Sequence, residues 1–157
     1  MPRPPAVTPA DFPVVRTITT RWMDEDVYGH VNNVVYYSFF DTAVNGWLMD
    51  ATGVDIRTLP AVGLVVETRC EFLRELGFPG DVQVGLSVQR LGRTSIVYAL
   101  AIFQGDSPQR AAVGRFVHVY VDSQTRRPVP VPTLIRAAAA TVLSPGTLSP
   151  GTLSPER

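Results

Sequence analysis

Three carboxylates, a histidine and two asparagines fall within ten residues of one another: Asp24, Glu25, Asp26, His30, Asn32 and Asn33. Gly29 stands just before the histidine, and a long apolar stretch begins just after the asparagines. If that stretch is a helix, the polar group sits at its N-terminus, where unpaired backbone N–H groups and the positive end of the helix dipole point outward. A carboxylate held beside such donors suits a reaction in which a carbonyl becomes an oxyanion. Asp26 is the candidate for that carboxylate. The competing reading is a solvated acidic turn favoured by the dipole. His30 could orient a carbonyl or a water, or simply hydrogen-bond locally. Asn32 and Asn33 suit a helix cap, which fixes where the free N–H groups point.

The elements that must position this turn can be read from periodicity. Met1 to Pro13 carries five prolines and reads as a flexible or extended arm. Val14 to Trp22 alternates weakly and predicts a first strand. From about Asn33 to Asp50 the period becomes helical: Tyr36, Phe39, Phe40, Ala43, Val44, Trp47 and Leu48 form a stripe at i, i+3, i+4 spacing. Such a helix is about 25 Å long. Its aromatic face is too broad for a surface helix, so a sheet should wrap around it. Strands are then expected over Gly63–Leu73, Val82–Leu91, Ser95–Gln104 and Arg110–Val121, joined by hairpins at Pro79-Gly80-Asp81, Gly92-Arg93-Thr94 and Gly105–Pro108. Leu134 to Val142 predicts a short Ala-rich helix. The last residues repeat Leu-Ser-Pro-Gly-Thr at a period of five and read as a disordered tail. The expected organisation is an arm over 1–13, one domain over 14–143 and the tail over 144–157. The class is α+β, one antiparallel sheet packed on one central helix.

Composition narrows the chemistry. The chain has 157 residues, enough for one domain. Acids and bases balance at 14 each, which gives no electrostatic case for nucleic acid or an anionic membrane as partner. There is no lysine, so Schiff-base chemistry and a lysine base are excluded. Cys70 is the single cysteine, which rules out an intrachain disulfide and makes a cysteine metal cluster implausible. No signal-like segment or membrane-length apolar run is present, so a soluble cytoplasmic protein is expected. Arg93, in a tight turn, could meet a phosphate or be an ordinary exposed arginine. His118 lies mid-strand and reads as a packed or interface side chain, Cys70 as a buried thiol and Asp41 as a helix-surface polar residue. Glu67, Arg69 and Glu71 read as one exposed strand face. No Walker loop, dinucleotide fingerprint, zinc spacing or G-x-S-x-G elbow occurs.

The run Asp24-Glu25-Asp26-Val27-Tyr28-Gly29-His30-Val31-Asn32-Asn33, followed by Tyr36 and Phe39-Phe40-Asp41, resembles the signature of the 4-hydroxybenzoyl-CoA thioesterase branch of hotdog-fold proteins. Weaker similarity continues through Phe72-Leu73-Arg74, Pro79-Gly80-Asp81, Gly92–Ser95, Val117-His118-Val119 and Arg126–Pro130, covering roughly Val14 to Ala140. One departure is Glu75-Leu76-Gly77-Phe78, where many members carry a proline or a basic residue soon after the arginine.

The resemblance implies a hotdog, a five-stranded antiparallel sheet around one long helix. It implies obligate dimers, often assembled into tetramers, with acyl-CoA bound between subunits and no separate cofactor or metal. It places the catalytic carboxylate at Asp26 and the oxyanion donors at the helix-start amides near Asn33. His30, Asn33, Tyr36, Arg93 and Ser95 become the substrate-binding set, with the Gly92–Ser95 turn meeting the CoA phosphates. A thioester carries a good leaving group, a thiol of pKa near 8.5. One carboxylate with oxyanion donors can then suffice, Asp26 attacking the carbonyl or activating water. Two other readings compete. A hotdog hydratase or dehydratase pairs an Asp with a His in a differently spaced motif that Asp26 and His30 do not match. A non-catalytic acyl-CoA or acyl-carrier binding module would not need the intact carboxylate.

Overall fold

A computed structural model of the chain describes residues 6–144. It contains β1 (Val14–Thr19), α1 (Asn33–Thr52), β2 (Ala61–Phe72), β3 (Asp81–Leu91), β4 (Ser95–Gln104), β5 (Ala112–Asp122) and α2 (Thr133–Thr141). Each expected strand is present within a few residues of its expected bounds. The first stops at Thr19 rather than Trp22, because Trp22–Asp24 closes into a 3-10 turn. The five strands form one antiparallel sheet in the order β1-β3-β4-β5-β2.

The expectation of hairpins throughout holds for β3-β4-β5 but not for β2 and β3. β2 lies at the edge beside β5, whereas β3 pairs with β1 on the far side. The connection Leu73–Gly80 therefore crosses the end of the sheet. Three strand spacings are about 14 Å, a distance eight residues span without strain. Leu76 anchors this crossing in the core.

The helix forms where the apolar period says it should. Asn32 caps it, its Oδ1 accepting the Val34 N–H at 2.9 Å. Gly53 ends it in the left-handed region (φ 71°), its N–H reaching the Met49 carbonyl. All seven residues of the expected stripe are buried. They meet Val84 and Leu86 of β3, Tyr98 and Leu100 of β4, and Phe116 of β5 in one core. Burying a large apolar side chain contributes about 2 kcal/mol each, so this face accounts for much of the helix's stability. The closest approach is at Gly114, where an added Cβ would lie 2.5 Å from the Phe40 ring. Phe40 therefore rests on bare backbone of β5.

The helical layer holds two helices rather than one. α2 packs beside α1 and β3 and buries Ile135, Ala138 and Ala139 in the same core. The opposite face of the sheet is partly covered by the end of the N-terminal arm. Phe12 is buried edge-on against Phe103, with Val113 and Ala101 in the same small cluster. The segment expected to be flexible is thus docked at its inner end. Residues 1–5 of the arm and the repeat tail from 145 lie outside the described residues. Among the described residues, no helix is long and apolar enough to cross a membrane.

Candidate active site

The turn between β1 and α1 separates its three carboxylates into different roles. Asp24 is 1% exposed and saturated: it accepts from the Arg21 backbone N–H at 2.7 Å and from the Arg21 guanidinium at 2.9 and 3.1 Å. Its own carbonyl accepts from the Asn32 N–H. It closes the turn and faces no ligand space. Glu25 reaches away to the β2–β3 crossing, where its Oε1 accepts from the Phe78 N–H at 2.8 Å. Asp26 alone of the three lines a cleft, of about 450 Å³.

Each oxygen of Asp26 has one donor. Oδ1 accepts from the Tyr28 N–H at 2.9 Å and Oδ2 from the Asn32 side-chain amide at 3.1 Å. Asn32 therefore works in two directions: its oxygen caps α1 and its nitrogen holds the carboxylate. Of the first helical N–H groups, that of Val34 goes to the Asn32 side chain and that of Val35 to the Asn32 carbonyl. The Asn33 N–H finds no acceptor among the described residues, and Asn33 lines the cleft. A half-buried carboxylate and a free helix-start donor thus border one space, with the dipole favouring negative charge there.

The crossing loop supplies the opposite wall through Arg74 and Glu75. His30 meets Glu75, Nε2 to Oε2, at 2.8 Å. The Leu76 carbonyl accepts from the Val31 N–H. Gly77 is clamped by the Gln104 side-chain amide, which accepts from its N–H at 2.9 Å and donates to its carbonyl at 2.7 Å. Of the four residues that depart from the family pattern, Glu75, Leu76 and Phe78 thus tie this loop to the Asp26 turn, and Gly77 ties it to the end of β4. Spacing gave no hint of it, because the partners lie far apart in the chain, by 53 residues for Glu25 and Phe78.

Tyr36 also borders the cleft, stacked edge-on to Phe72 with ring centres 4.9 Å apart. Its phenol is pushed up from the usual tyrosine range, mainly by burial. Asp26, His30, Asn33 and Tyr36 are therefore brought together. Arg93 and Ser95 are not. The Asp26 end of the sheet is where Thr19 pairs with Asp81, and Arg93 follows the far end of β3. The 11 residues of β3 put them roughly 35 Å apart. The other residues considered stand aside. His118 is packed in the core. Cys70 is half-buried, its thiol pushed up to about 12 chiefly by burial, with the Glu71 charge adding. Asp41 is exposed and holds Asn45. Glu67 pairs with Arg69 and with Arg115 of the neighbouring strand, at 3.0 Å each. Among the described residues no three His, Cys, Asp or Glu side chains cluster as a metal site would require.

Residues 20–139 match the model of the Thioesterase-like superfamily. The PA5185 protein of Pseudomonas aeruginosa strain PAO1 is 44% identical, over 89% of this chain and 98% of its own, with a TM-score of 0.84. The PA2801 protein of Pseudomonas aeruginosa, a proposed thioesterase, is 32% identical over 79% of this chain and 95% of its own (TM-score 0.73). A thioesterase from Thermus thermophilus, solved with coenzyme A and Zn, is 27% identical over 83% of this chain and 94% of its own (TM-score 0.71). No curated protein matches the chain. The extent of the family match, the 44% identity and the shared sheet-and-helix frame lead to one conclusion: this chain is a member of the thioesterase-like superfamily, with its hotdog fold.

Proposed function

We propose that the protein hydrolyses acyl-CoA thioesters at the Asp26 cleft, as its resemblance to the 4-hydroxybenzoyl-CoA thioesterase branch suggests. The observation that carries this reading is the pairing of a held carboxylate, Asp26, with the acceptor-free Asn33 N–H on one cleft. With the thioester carbonyl oxygen directed to the Asn33 N–H, charge developing on that oxygen meets a preorganised donor at the positive end of α1. Asp26 then acts in one of two ways. It attacks the carbonyl carbon, expels CoA as the thiolate, and water hydrolyses the resulting mixed anhydride. Alternatively it takes a proton from a water that attacks the carbonyl, and the tetrahedral intermediate expels the thiolate. Either route turns a thioester and water into an acid and CoA.

The working unit in this proposal is at least a homodimer. β2 is an edge strand, and Leu64, Val65 and Val66 stand exposed along it. An unpaired edge with apolar side chains calls for a partner strand. Antiparallel pairing of two β2 edges sets one protomer's Asp26 end beside its partner's Gly92–Ser95 turn. Arg93 and Ser95 then serve the cleft across the interface, which reconciles their distance from Asp26 within one chain.

The test is thiol release from a panel of aliphatic and aromatic acyl-CoAs, comparing the wild type with Asp26→Asn. Turnover by the wild type and its near-abolition in the variant, with acyl-CoA still bound, is the expected result. Equal turnover in the two proteins, or binding by the wild type with no CoA released, overturns it.

A further inference from the structure

A second cavity, of about 120 Å³, lies at the other end of α1 from Asp26. Leu48 is 15 residues beyond Asn33, which sets the two sites about 22 Å apart along the helix. Leu48, Ile56, Leu59 and Ile135 supply apolar walls. The remaining lining includes three side chains with unused polar atoms. His118 is 2% exposed and its Nδ1 has no hydrogen-bond partner among the described residues. The Tyr120 hydroxyl likewise makes no hydrogen bond among them. Asn45 spends its amide nitrogen on Asp41, at 2.9 and 3.0 Å, and leaves its oxygen free.

Buried polar groups are nearly always paired, so the partnerless His118 Nδ1 on this cavity calls for an explanation. Gly63 is what keeps the space open. A Cβ there would lie 3.1 Å from His118 Nδ1 and 3.2 Å from the Tyr120 ring. The walls carry no free charge. Burial holds the His118 ring neutral, with its pKa lowered to about 4, and raises that of the Tyr120 phenol. The one guanidinium on the rim, Arg57, is bound to Asp55 at 2.9 Å.

We infer that this cavity is a binding site for a small uncharged group, up to a single ring, that carries one hydroxyl. Its volume approaches the roughly 150 Å³ that admits benzene into an apolar cavity. Its unused donors and acceptors match a hydroxyl, which both gives and takes a hydrogen bond. Two sources present that chemistry: a free small molecule, or the acyl end of a thioester delivered by a neighbouring copy. The site stands on its own geometry and does not depend on the hydrolase reading.

Phenol and toluene are the probes, titrated against the full chain by calorimetry. Saturable binding is expected, with phenol favoured about fivefold, the worth of a typical net hydrogen bond. Tyr120→Phe and His118→Phe each keep a ring in place and remove one polar group. In at least one of them the preference should fall to parity with toluene affinity retained. Gly63→Ala should weaken both probes. Absence of saturable binding, equal affinity of the wild type for phenol and toluene, or a preference unchanged in both variants overturns the inference. Thermal melts of each variant show that the fold survives. In thiol-release assays, phenol competing with the acyl-CoA assigns the cavity to the acyl end, and phenol leaving its KM unchanged assigns it to a free ligand.

Discussion

A histidine borders the space at each end of α1, His30 from the turn before it and His118 from β5, and the two are opposites. At the N-terminal end His30 is half-exposed, and its Nε2 meets the Glu75 carboxylate across an open cleft. At the C-terminal end His118 is sealed among Tyr98, Phe116 and Tyr120 with no charged partner. The first environment is polar, wet and built from residues far apart in the chain. The second is largely aromatic and apolar and built from strands in register. One helix thus separates a cleft built around a reactive carboxylate from a packed region that encloses a neutral cavity. Substitutions at the first should alter turnover with little effect on stability, and substitutions at the second should act first on stability.

The largest effect expected is that of Asp26→Asn. It keeps the side chain's shape and removes its charge, and turnover should fall by a factor on the order of 10³ or more, as loss of a central catalytic group commonly does. The melting temperature should move by no more than a few degrees, because the carboxylate is only half-buried and borders an open cleft. A large loss of stability instead would break the separation.

The next effect belongs to the other end. The His118 pKa is lowered from 6.5 to about 4 by burial. As pH falls, the unfolded chain binds this proton before the folded one does. Stability is therefore unaffected above about pH 6.5, declines between about 6.5 and 4, and levels off below, by about 3 kcal/mol in all. Denaturant melts should show that slope in the wild type, and His118→Phe should flatten it, while its effect on the pH profile of turnover is small. An unchanged slope would place the ring's proton uptake elsewhere.

Asn32 sharpens the comparison because it belongs to both tasks. Asn32→Asp keeps a capping oxygen and loses the amide donor to Asp26. Stability should stay within about 1 kcal/mol and kcat should fall about tenfold or more. Asn32→Ala should lose both, with a further cost of about 1 kcal/mol from the missing cap. The smallest effect is Glu75→Gln. An exposed pair contributes at most about 1 kcal/mol to stability, so the melting point should barely move. A few-fold change in KM would mark the pair as part of the substrate's path.

Periodicity made the frame legible. Tyr36 to Leu48 recur at helical spacing and are the residues buried, and β3 alternates in sequence while β4 and β5 are buried along nearly their whole length. The sequence also points to Asp26, through its place ahead of a helix N-terminus and then through the motif, which alone separates it from its acidic neighbours. Three adjacent acids look alike until Arg21 folds back to claim Asp24 and Phe78 claims Glu25. The crossing of Leu73–Gly80 was hidden for a similar reason. A Pro-Gly-Asp turn reads as a hairpin, and only the sheet order reveals that the chain has a gap to span. The docking of Phe12, and of the short helix that the sequence predicts over Leu134–Val142, is not written in either one's own local pattern. Both are held by surfaces that exist only once the sheet has formed.

The bare backbone at Gly114 reaches further than packing. With no methyl group in the way, Phe40 sits directly on β5, and that contact fixes the height at which the helix rides above the strands. Asn33 is seven residues, or about 10 Å, further toward the cleft on the same rigid rod. The hydrogen atom it offers is thus levelled by a residue that never meets the substrate, in the way a shim under one leg trues the far corner of a table.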